Sequence, residues 1–301
     1  MKIGAGPVSF GVYQPSAGGP APNHLMDAMA AAGYRGAELP PAGYAGPPGA
    51  AVELFARSGL TPVGIYIPIH FSDPTLLTRD QVGMEDALSE LEKAEDGPRI
   101  AILADEGGGI LLRNPARGDD PTHALDAAGF GALTDEVNRI AEYIRGRGLT
   151  PSFHPHISTY VESPAEVERL LGATDIDLTF DTGHIALGGG DIAECFESWR
   201  ERINHIHLKD VRHDVLEEAK RRRRIDFDVW WAEVSVPLGE GDLPLREFLA
   251  NLSAINYQGW AVIEQDRAPI SSEAELCSAA EVQKRNLQWV SRVLEGLAGG
   301  S

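Results

Sequence analysis

The chain has 301 residues, of which 43% are hydrophobic and 24% charged, an ordinary balance for a globular protein with a substantial core. Its formal net charge of −19 argues against binding to a nucleic-acid backbone, because such binding relies on Lys and Arg displacing counterions. No stretch approaches ~18 uninterrupted apolar residues and no basic region precedes an apolar run at the start, so we expect a soluble, cytoplasmic protein with no membrane partner.

Eight short apolar runs recur along the chain, and each is typical of a strand in a parallel sheet covered by helices. In chain order they are Lys2–Ala5, Gly36–Leu39, Pro62–Ile67, Ile100–Leu103, Thr150–His154, Asp177–Phe180, Ile203–Leu208 and Trp260–Glu264. Several follow an amphipathic segment that ends in Gly, as at Gly148 before the fifth run. Glycine favours this position because it adopts the left-handed conformation that ends a helix.

Helical patterns fill most of the segments between these runs. Leu133, Val137 and Ile140 recur at helical spacing and make an apolar stripe, while Ser163–Glu166 and Ser272–Glu275 are capping boxes that begin two helices. Eight strand–helix units without a linker predict a (β/α)8 TIM barrel in which residues 1–301 form a single domain. A doubly wound open sheet is the alternative, but no Gly-rich dinucleotide loop follows the first strand.

The active site of such a barrel lies where the strands end and the following loops begin. The residues at these positions are unusually polar. By strand they are Glu38 after the second, His70 after the third, Asp105 and Glu106 after the fourth, His154 and His156 after the fifth, Asp181 and His184 after the sixth, His207, Lys209 and Asp210 after the seventh, and Glu264 after the eighth. Any single histidine is explained as a hydrogen-bonded loop residue, but imidazoles and carboxylates converging on one rim predict a divalent transition metal.

Four segments resemble, in order, motifs of the xylose isomerase-like barrel superfamily, which contains sugar isomerases, ketose epimerases, endonuclease IV and inosose dehydratases. The segments are Phe153–His156, Phe180–His184, His205–Asp210 and Val262–Gln265. Within the superfamily the chain resembles the myo-inosose dehydratases most. The segments similar to that branch are His154–Thr159, Asp181–His184 followed by Gly189–Asp191, Arg202–Arg212 and Pro237–Asp242.

The resemblance implies that Asp181, His207 and Glu264 bind the metal together with the strand-five residue, which is His154 here. Epimerases of the superfamily have a glutamate at that position and pair it with the strand-eight glutamate to move a proton between the two faces of a carbon. An unequal pair suits removal of an α-proton and loss of a β-hydroxyl instead. The ligands suit Mn2+ or Co2+ first, with Zn2+, Fe2+ or Mg2+ as alternatives, and no organic cofactor is expected.

We therefore predict a metal-dependent lyase that dehydrates an inosose (2-keto-myo-inositol) or a related keto-cyclitol or keto-sugar. The metal would polarise the ketone as a Lewis acid. Glu264, Glu38 or His70 would then take the α-proton. His156 or His184 would protonate the departing hydroxyl.

Two further features leave alternatives open. Lys209 either orients substrate hydroxyls or only forms an ion pair with Asp210. The basic run Lys220–Arg224 is either a nucleic-acid patch or a solvated helix face or interface, and five charges favour the latter. The run shares a long connection with Trp230 and Trp231, and such connections form lids or subunit contacts, so a homo-oligomer stays open. A phosphate on the substrate would also give these arginines a partner.

Other activities fit the same scaffold. A metal-dependent sugar isomerase or ketose epimerase is the main alternative. An endonuclease IV-like repair enzyme is disfavoured, because such enzymes use three zinc ions and a basic DNA-facing surface whereas this chain is acidic. A non-catalytic binding barrel does not explain the full set of rim residues. The expected partner is thus a small polyol ketone and not a nucleic acid.

Overall fold

The computed structural model describes residues 1–15, 19–118, 120–223 and 232–299. Within these ranges eight parallel strands close into a barrel. They are β1 (Lys2–Ala5), β2 (Gly36–Leu39), β3 (Thr61–Ile69), β4 (Ile100–Asp105), β5 (Thr150–Phe153), β6 (Asp177–Asp181), β7 (Ile203–Leu208) and β10 (Trp260–Ile263). Two short strands, β8 (Asp210–Val211) and β9 (Ser235–Val236), pair antiparallel outside the barrel. The barrel confirms the predicted fold class and excludes the open sheet.

The barrel strands follow chain order, and β10 pairs with both β7 and β1 to close the ring. Helices lie between the strands. In the described ranges they are α1 (Pro22–Ala31), α2 (Ala50–Ser58), α3 (Pro74–Glu92), α4 (Gly109–Leu112), α5 (Ala127–Gly146), α6 (Pro164–Ala173), α7 (Thr182–Leu187), α8 (Ile192–Trp199), α9 (His213–Arg221), α10 (Leu245–Ala254) and α11 (Glu273–Ala298). Both predicted capping boxes are present, at Ser163 and Ser272.

The ends of β4, β5, β6 and β10 differ from the sequence-based bounds at positions that matter for the site, and β4 and β6 extend to Asp105 and Asp181. Strand β5 ends at Phe153 and β10 at Ile263, so His154 and Glu264 are the first residues of the following loops. Both residues still donate their backbone N–H to the neighbouring strand, at 2.7 and 3.0 Å. The sheet therefore holds these two backbones although their side chains leave its regular pleat.

The core lies between the barrel and its helices. The stripe of Leu133 and Val137 on α5 is fully buried, as predicted. On the β6 side, the ring of Phe180 lies 5.6 Å from those of Phe196 on α8 and Phe248 on α10. Such aromatic packing stabilises and fixes the strand that carries the next residue, Asp181.

The basic run lies at the end of α9 and fits the solvated helix face. Arg221 and Arg222 are exposed and pair with Glu218 one turn earlier, so their charge is balanced within the helix. Arg224 of this run, together with Trp230 and Trp231, lies outside the described residues. Among the described helices, none combines the length and the apolar character that crossing a bilayer requires.

Candidate metal centre

Four side chains from four adjacent barrel strands meet at the carboxyl end of the barrel. His154 follows β5, Asp181 ends β6, His207 lies in β7 and Glu264 follows β10. One ligand atom of each lies within 4.8 Å of the others, and all four residues are buried. We call them the metal cluster. They are the four residues that the family resemblance implies as metal ligands.

The metal cluster contains buried polar atoms that have no hydrogen-bond partner among the described residues. These atoms are both ring nitrogens of His154, Oδ2 of Asp181 and Nδ1 of His207. His154 Nε2 and His207 Nδ1 lie 3.5 and 3.6 Å from Asp181 Oδ2. Ligands bound about 2.0–2.2 Å from one ion are separated by about 3–3.6 Å, so the spacing fits a shared divalent cation. Such an ion would give a partner to Asp181 Oδ2, to His207 Nδ1 and to one ring nitrogen of His154.

Asp181 divides its carboxylate between two tasks. Its Oδ1 accepts the backbone N–H groups of Gly183 and His184, at 2.8 and 2.9 Å, and so caps α7. This leaves Oδ2 facing His154 and His207. A Cβ on Gly183 would lie 2.8 Å from the Lys209 side chain, so glycine in this motif makes room for the lysine.

Glu38 supports His207 from behind the metal cluster. Its Oε1 lies 2.7 Å from Nε2 of both His205 and His207. Burial opposes the charge of Glu38, but the two imidazoles hold the pKa of its carboxyl well below the ordinary value. When His207 donates from Nε2, its Nδ1 lone pair faces Asp181 and Glu264. A fully engaged Glu38 does not fit the predicted role of taking the α-proton.

Lys209 is a buried cation next to the metal cluster. Its Nζ lies 2.7 Å from Asp266 Oδ2, 3.2 Å from Glu264 Oε2 and 3.3 Å from Asp181 Oδ2. Burial alone would lower the pKa of Lys209, but these three carboxylates hold it well above the ordinary value, so the ammonium is charged. The Lys209 side chain also lines the adjacent cavity, so its positive charge lies next to any ligand bound there.

The ion pairs found for Lys209 involve Asp181, Glu264 and Asp266. The Asp210 carboxylate accepts the backbone N–H groups of Gly239 and Gly241, at 2.8 and 3.1 Å. It therefore orders the loop after β9.

His156 and His184 lie beside His154, with their own ring centroids 3.8 Å apart. His156 Nδ1 is 2.7 Å from the carbonyl oxygen of Ile157, which can only accept, so Nδ1 carries the proton and Nε2 the lone pair. His184 Nε2 lies 3.1 Å from Lys209 Nζ. Burial lowers the pKa of His156 to about 3 and that of His184 well below its ordinary value. Two neutral imidazoles of this kind do not match the predicted role of proton donor.

A cavity of about 630 Å³ opens beside the metal cluster, a size suited to a small ligand. Its polar side is lined by His154, His156, His184, Lys209, Glu264 and Asp266. Apolar residues also line the cavity, among them Pro7, Val8, Val12, Pro41, Pro68 and Met84, together with the carboxyl residues Asp80, Asp105 and Glu106. The cavity therefore combines polar groups with apolar surface that a small ligand can cover.

A second polar group, which we call the β4 group, consists of His70, Asp80, Asp105 and Glu106. The backbone N–H and ring Nδ1 of His70 lie 2.9 and 2.7 Å from Asp80 Oδ2. His70 is not among the described residues that line the cavity, so its predicted role as a base does not fit. Asp105 and Glu106 do line it, and burial raises the pKa of Asp105 to about 6 and that of Glu106 to about 7.

Sequence reasoning missed two contributors to the site, His205 and Asp266. His205 binds Glu38, and Asp266 Oδ2 lies 2.7 Å from Lys209 Nζ. Each lies two residues from a predicted ligand, His207 or Glu264. Strand residues two positions apart lie on the same face of the sheet. The spacing of His205 and His207 could therefore have predicted that both side chains belong to the site.

Comparison with known proteins places the chain in a family. The family model for the xylose isomerase-like TIM barrel matches residues 26–292. An inosose dehydratase of Geobacillus kaustophilus strain HTA426 is 31% identical over 255 residues, which cover 82% of this chain and 80% of that protein. The rhizopine catabolism protein MocC of Rhizobium meliloti is 31% identical over 296 residues, which cover 95% and 87%.

Among solved structures, an L-ribulose 3-epimerase superposes with a TM-score of 0.72 over 100% of this chain and 97% of that one, at 15% sequence identity. At that identity the likeness is one of fold. The sequence match and the eight-stranded barrel agree with each other. The chain belongs to the xylose isomerase-like TIM barrel family.

Proposed function

We propose that the protein is a metal-dependent hydro-lyase that dehydrates an inosose (2-keto-myo-inositol) or a related keto-cyclitol or keto-sugar. The observation that carries this proposal is the unequal metal cluster, in which His154 stands at the end of β5 and Glu264 at the end of β10. Elimination needs one group to remove a proton and a different group to release a hydroxyl, so it suits unequal residues. Similarity to a protein named inosose dehydratase supports the same reaction class.

Four side chains would hold the cation, namely His154, Asp181, His207 and Glu264. A divalent cation bound there would supply Lewis acidity that polarises the ketone and makes the neighbouring C–H more acidic. Two imidazoles with two carboxylates suit several first-row metals, of which we propose Mn2+ or Co2+. Lys209 would add a fixed positive charge on the same side of the cavity.

We propose that His156 takes the α-proton; because burial lowers its pKa to about 3, this requires the metal-polarised ketone to make the α-proton unusually acidic. His156 lines the cavity, and its bond to the Ile157 carbonyl leaves the Nε2 lone pair as the acceptor. This reverses the role expected for it from the sequence. The backbone carbonyl fixes the tautomer, with the proton on Nδ1 and the lone pair on Nε2.

Incubation of the Mn2+- or Co2+-loaded enzyme with 2-keto-myo-inositol tests the proposal, and we expect an ultraviolet-absorbing dione product. The variant His156→Gln should lower its rate of formation by ~10²–10⁴-fold, because a positioned base contributes about that much. Its metal content should stay unchanged. The exposed histidine variant His24→Gln is the control and should match the wild type. If the wild type yields no dione while a ketose exchanges its α-hydrogen with solvent, the epimerase alternative holds instead.

A further inference from the structure

Glu106 differs from the other carboxylates that line the cavity. Six of the described residues there carry a carboxyl group: Glu38, Asp80, Asp105, Glu106, Glu264 and Asp266. Glu264 belongs to the metal cluster. Each of four others has at least one protein donor, from the His205 and His207 rings, the His70 and Tyr160 backbone N–H groups and the Lys209 ammonium, although Asp105 Oδ1 has no hydrogen-bond partner among the described residues. The Glu106 carboxyl has no hydrogen bond or ion pair with the described part of the chain.

The position of Glu106 is defined by the sheet. Its backbone N–H donates to the Ile69 carbonyl at 2.9 Å, so the residue is anchored directly after β4. Strand β4 lies four places from β10 in the ring of eight, on the opposite side of the barrel. Glu106 and Glu264 therefore stand on opposite sides of the cavity mouth. A substrate whose ketone lies at the metal cluster presents another part of its ring toward Glu106.

The surroundings of Glu106 keep its proton available. Burial is the main influence and raises the pKa of Glu106 to about 7; Asp105 and Asp80 also raise it, while His70 and Arg79 lower it. The carboxyl thus carries a proton for part of the time near neutral pH.

Three other potential donors in the cavity, His156, His184 and Tyr66, suit this task less well. His156 gives its Nδ1 proton to the Ile157 carbonyl, and His184 Nε2 faces the Lys209 ammonium. Burial raises the pKa of Tyr66, which also lines the cavity, well above 10.0, so its hydroxyl releases a proton poorly.

We propose that Glu106 is the general acid that protonates the departing β-hydroxyl, an inference that rests on the dehydration proposed above. As the base takes the α-proton, the C–H electron pair becomes part of the new carbon–carbon double bond. The C–O bond breaks with its electrons on oxygen, and the Glu106 proton moves to that oxygen, so that water leaves. Solvent in the cavity then returns a proton to the Glu106 carboxylate.

A leaving group that needs no proton provides the test. The probes are 2-keto-myo-inositol and its analogue with fluorine in place of the β-hydroxyl, each given to metal-loaded enzyme. Glu106→Gln should lower the rate of water loss by ~10²–10⁴-fold, the usual contribution of a general acid, and leave fluoride loss within about threefold of wild type. Exchange of the α-hydrogen in D2O should persist. Glu95→Gln is the matched control, since Glu95 is exposed and precedes β4 at the other end of the barrel.

The pH profile gives a second readout. Water loss by the wild type should slow as the pH rises through the pKa of Glu106, because the acid must be protonated, and E106Q should lack this limb. The proposal is overturned if E106Q catalyses water loss from the substrate as fast as the wild type does. It is also overturned if the rate of fluoride loss falls as much in E106Q as the rate of water loss. A wild type that exchanges the α-hydrogen but eliminates neither group would overturn the proposed function and the role of Glu106 together.

Discussion

The metal cluster and the β4 group occupy the same end of the barrel and use the same residue types, yet they differ in where their partners come from. In the metal cluster, side chains from four strands or their ends converge, and several ligand atoms have no hydrogen bond to the part of the chain that the structure describes. In the β4 group, His70 binds Asp80 ten residues away, and Asp105 accepts a backbone N–H from Tyr160. Convergence creates a place for a cation, whereas local pairing leaves the Glu106 carboxyl without a partner among the described residues and able to hold a proton.

Removing one charge from the metal cluster should have the largest effect. Asp181→Asn keeps an Oδ1 acceptor for the cap of α7 but removes the negative charge from the atom that faces His154 and His207. We expect metal content to fall to near zero and dione formation to fall by ~10³-fold, since the Lewis acid contributes several kcal/mol. Elemental analysis and the dione assay measure the two effects.

The control for this variant is Asp191→Asn. Asp191 caps α8 through backbone N–H groups of Ala193 and Glu194, the same structural task without a metal. It should keep full metal content. Unchanged metal content in Asp181→Asn would contradict the metal cluster as the binding site.

A smaller effect is expected from the residue behind the cluster. Glu38→Gln replaces the carboxylate that orients His207, and such outer partners are typically worth about 10–100-fold in metal affinity. Isothermal titration with Mn2+ or Co2+ measures this loss. Glu90→Gln is the matched control, because Glu90 is also a buried glutamate and accepts from the Gly49 and Val52 backbones, away from the site. Equal affinities in the two variants would show that Glu38 does not orient the ligand.

The difference between local and long-range partners also explains which features of the fold and site could be predicted from the sequence. Strand periodicity and helix caps predicted the barrel, and strand-end position brought His154 and Asp181 to one rim, because both features are local in the chain. The pairing of Glu38 with His205 spans 167 residues, and no local pattern encodes it. The roles of His156 and His70 were likewise assigned by residue type, whereas the Ile157 carbonyl and the Asp80 carboxylate decide which of their ring atoms are available.

The smallest predicted effect is a change in protein stability with pH. It concerns the β4 group and not the metal cluster, and it is measured without metal or substrate. Burial raises the pKa of Glu106 from 4.5 to about 7, so the folded protein holds this proton more tightly than the unfolded chain does. The stability that this provides is present below pH 4.5 and is lost as the pH rises toward 7. Glu106→Gln stays neutral throughout. Its free energy of unfolding, relative to wild type, should therefore increase between these pH values and then level off.

Urea unfolding of the metal-free proteins at a series of pH values measures this difference. Subtracting wild type from variant cancels the similar contribution of Asp105, whose raised pKa is present in both proteins. Glu95→Gln, which changes an exposed carboxyl, should show a flat difference over the same range. If the difference in free energy of unfolding between Glu106→Gln and wild type does not change with pH, burial does not hold a proton on Glu106. The β4 group would then not be a proton site.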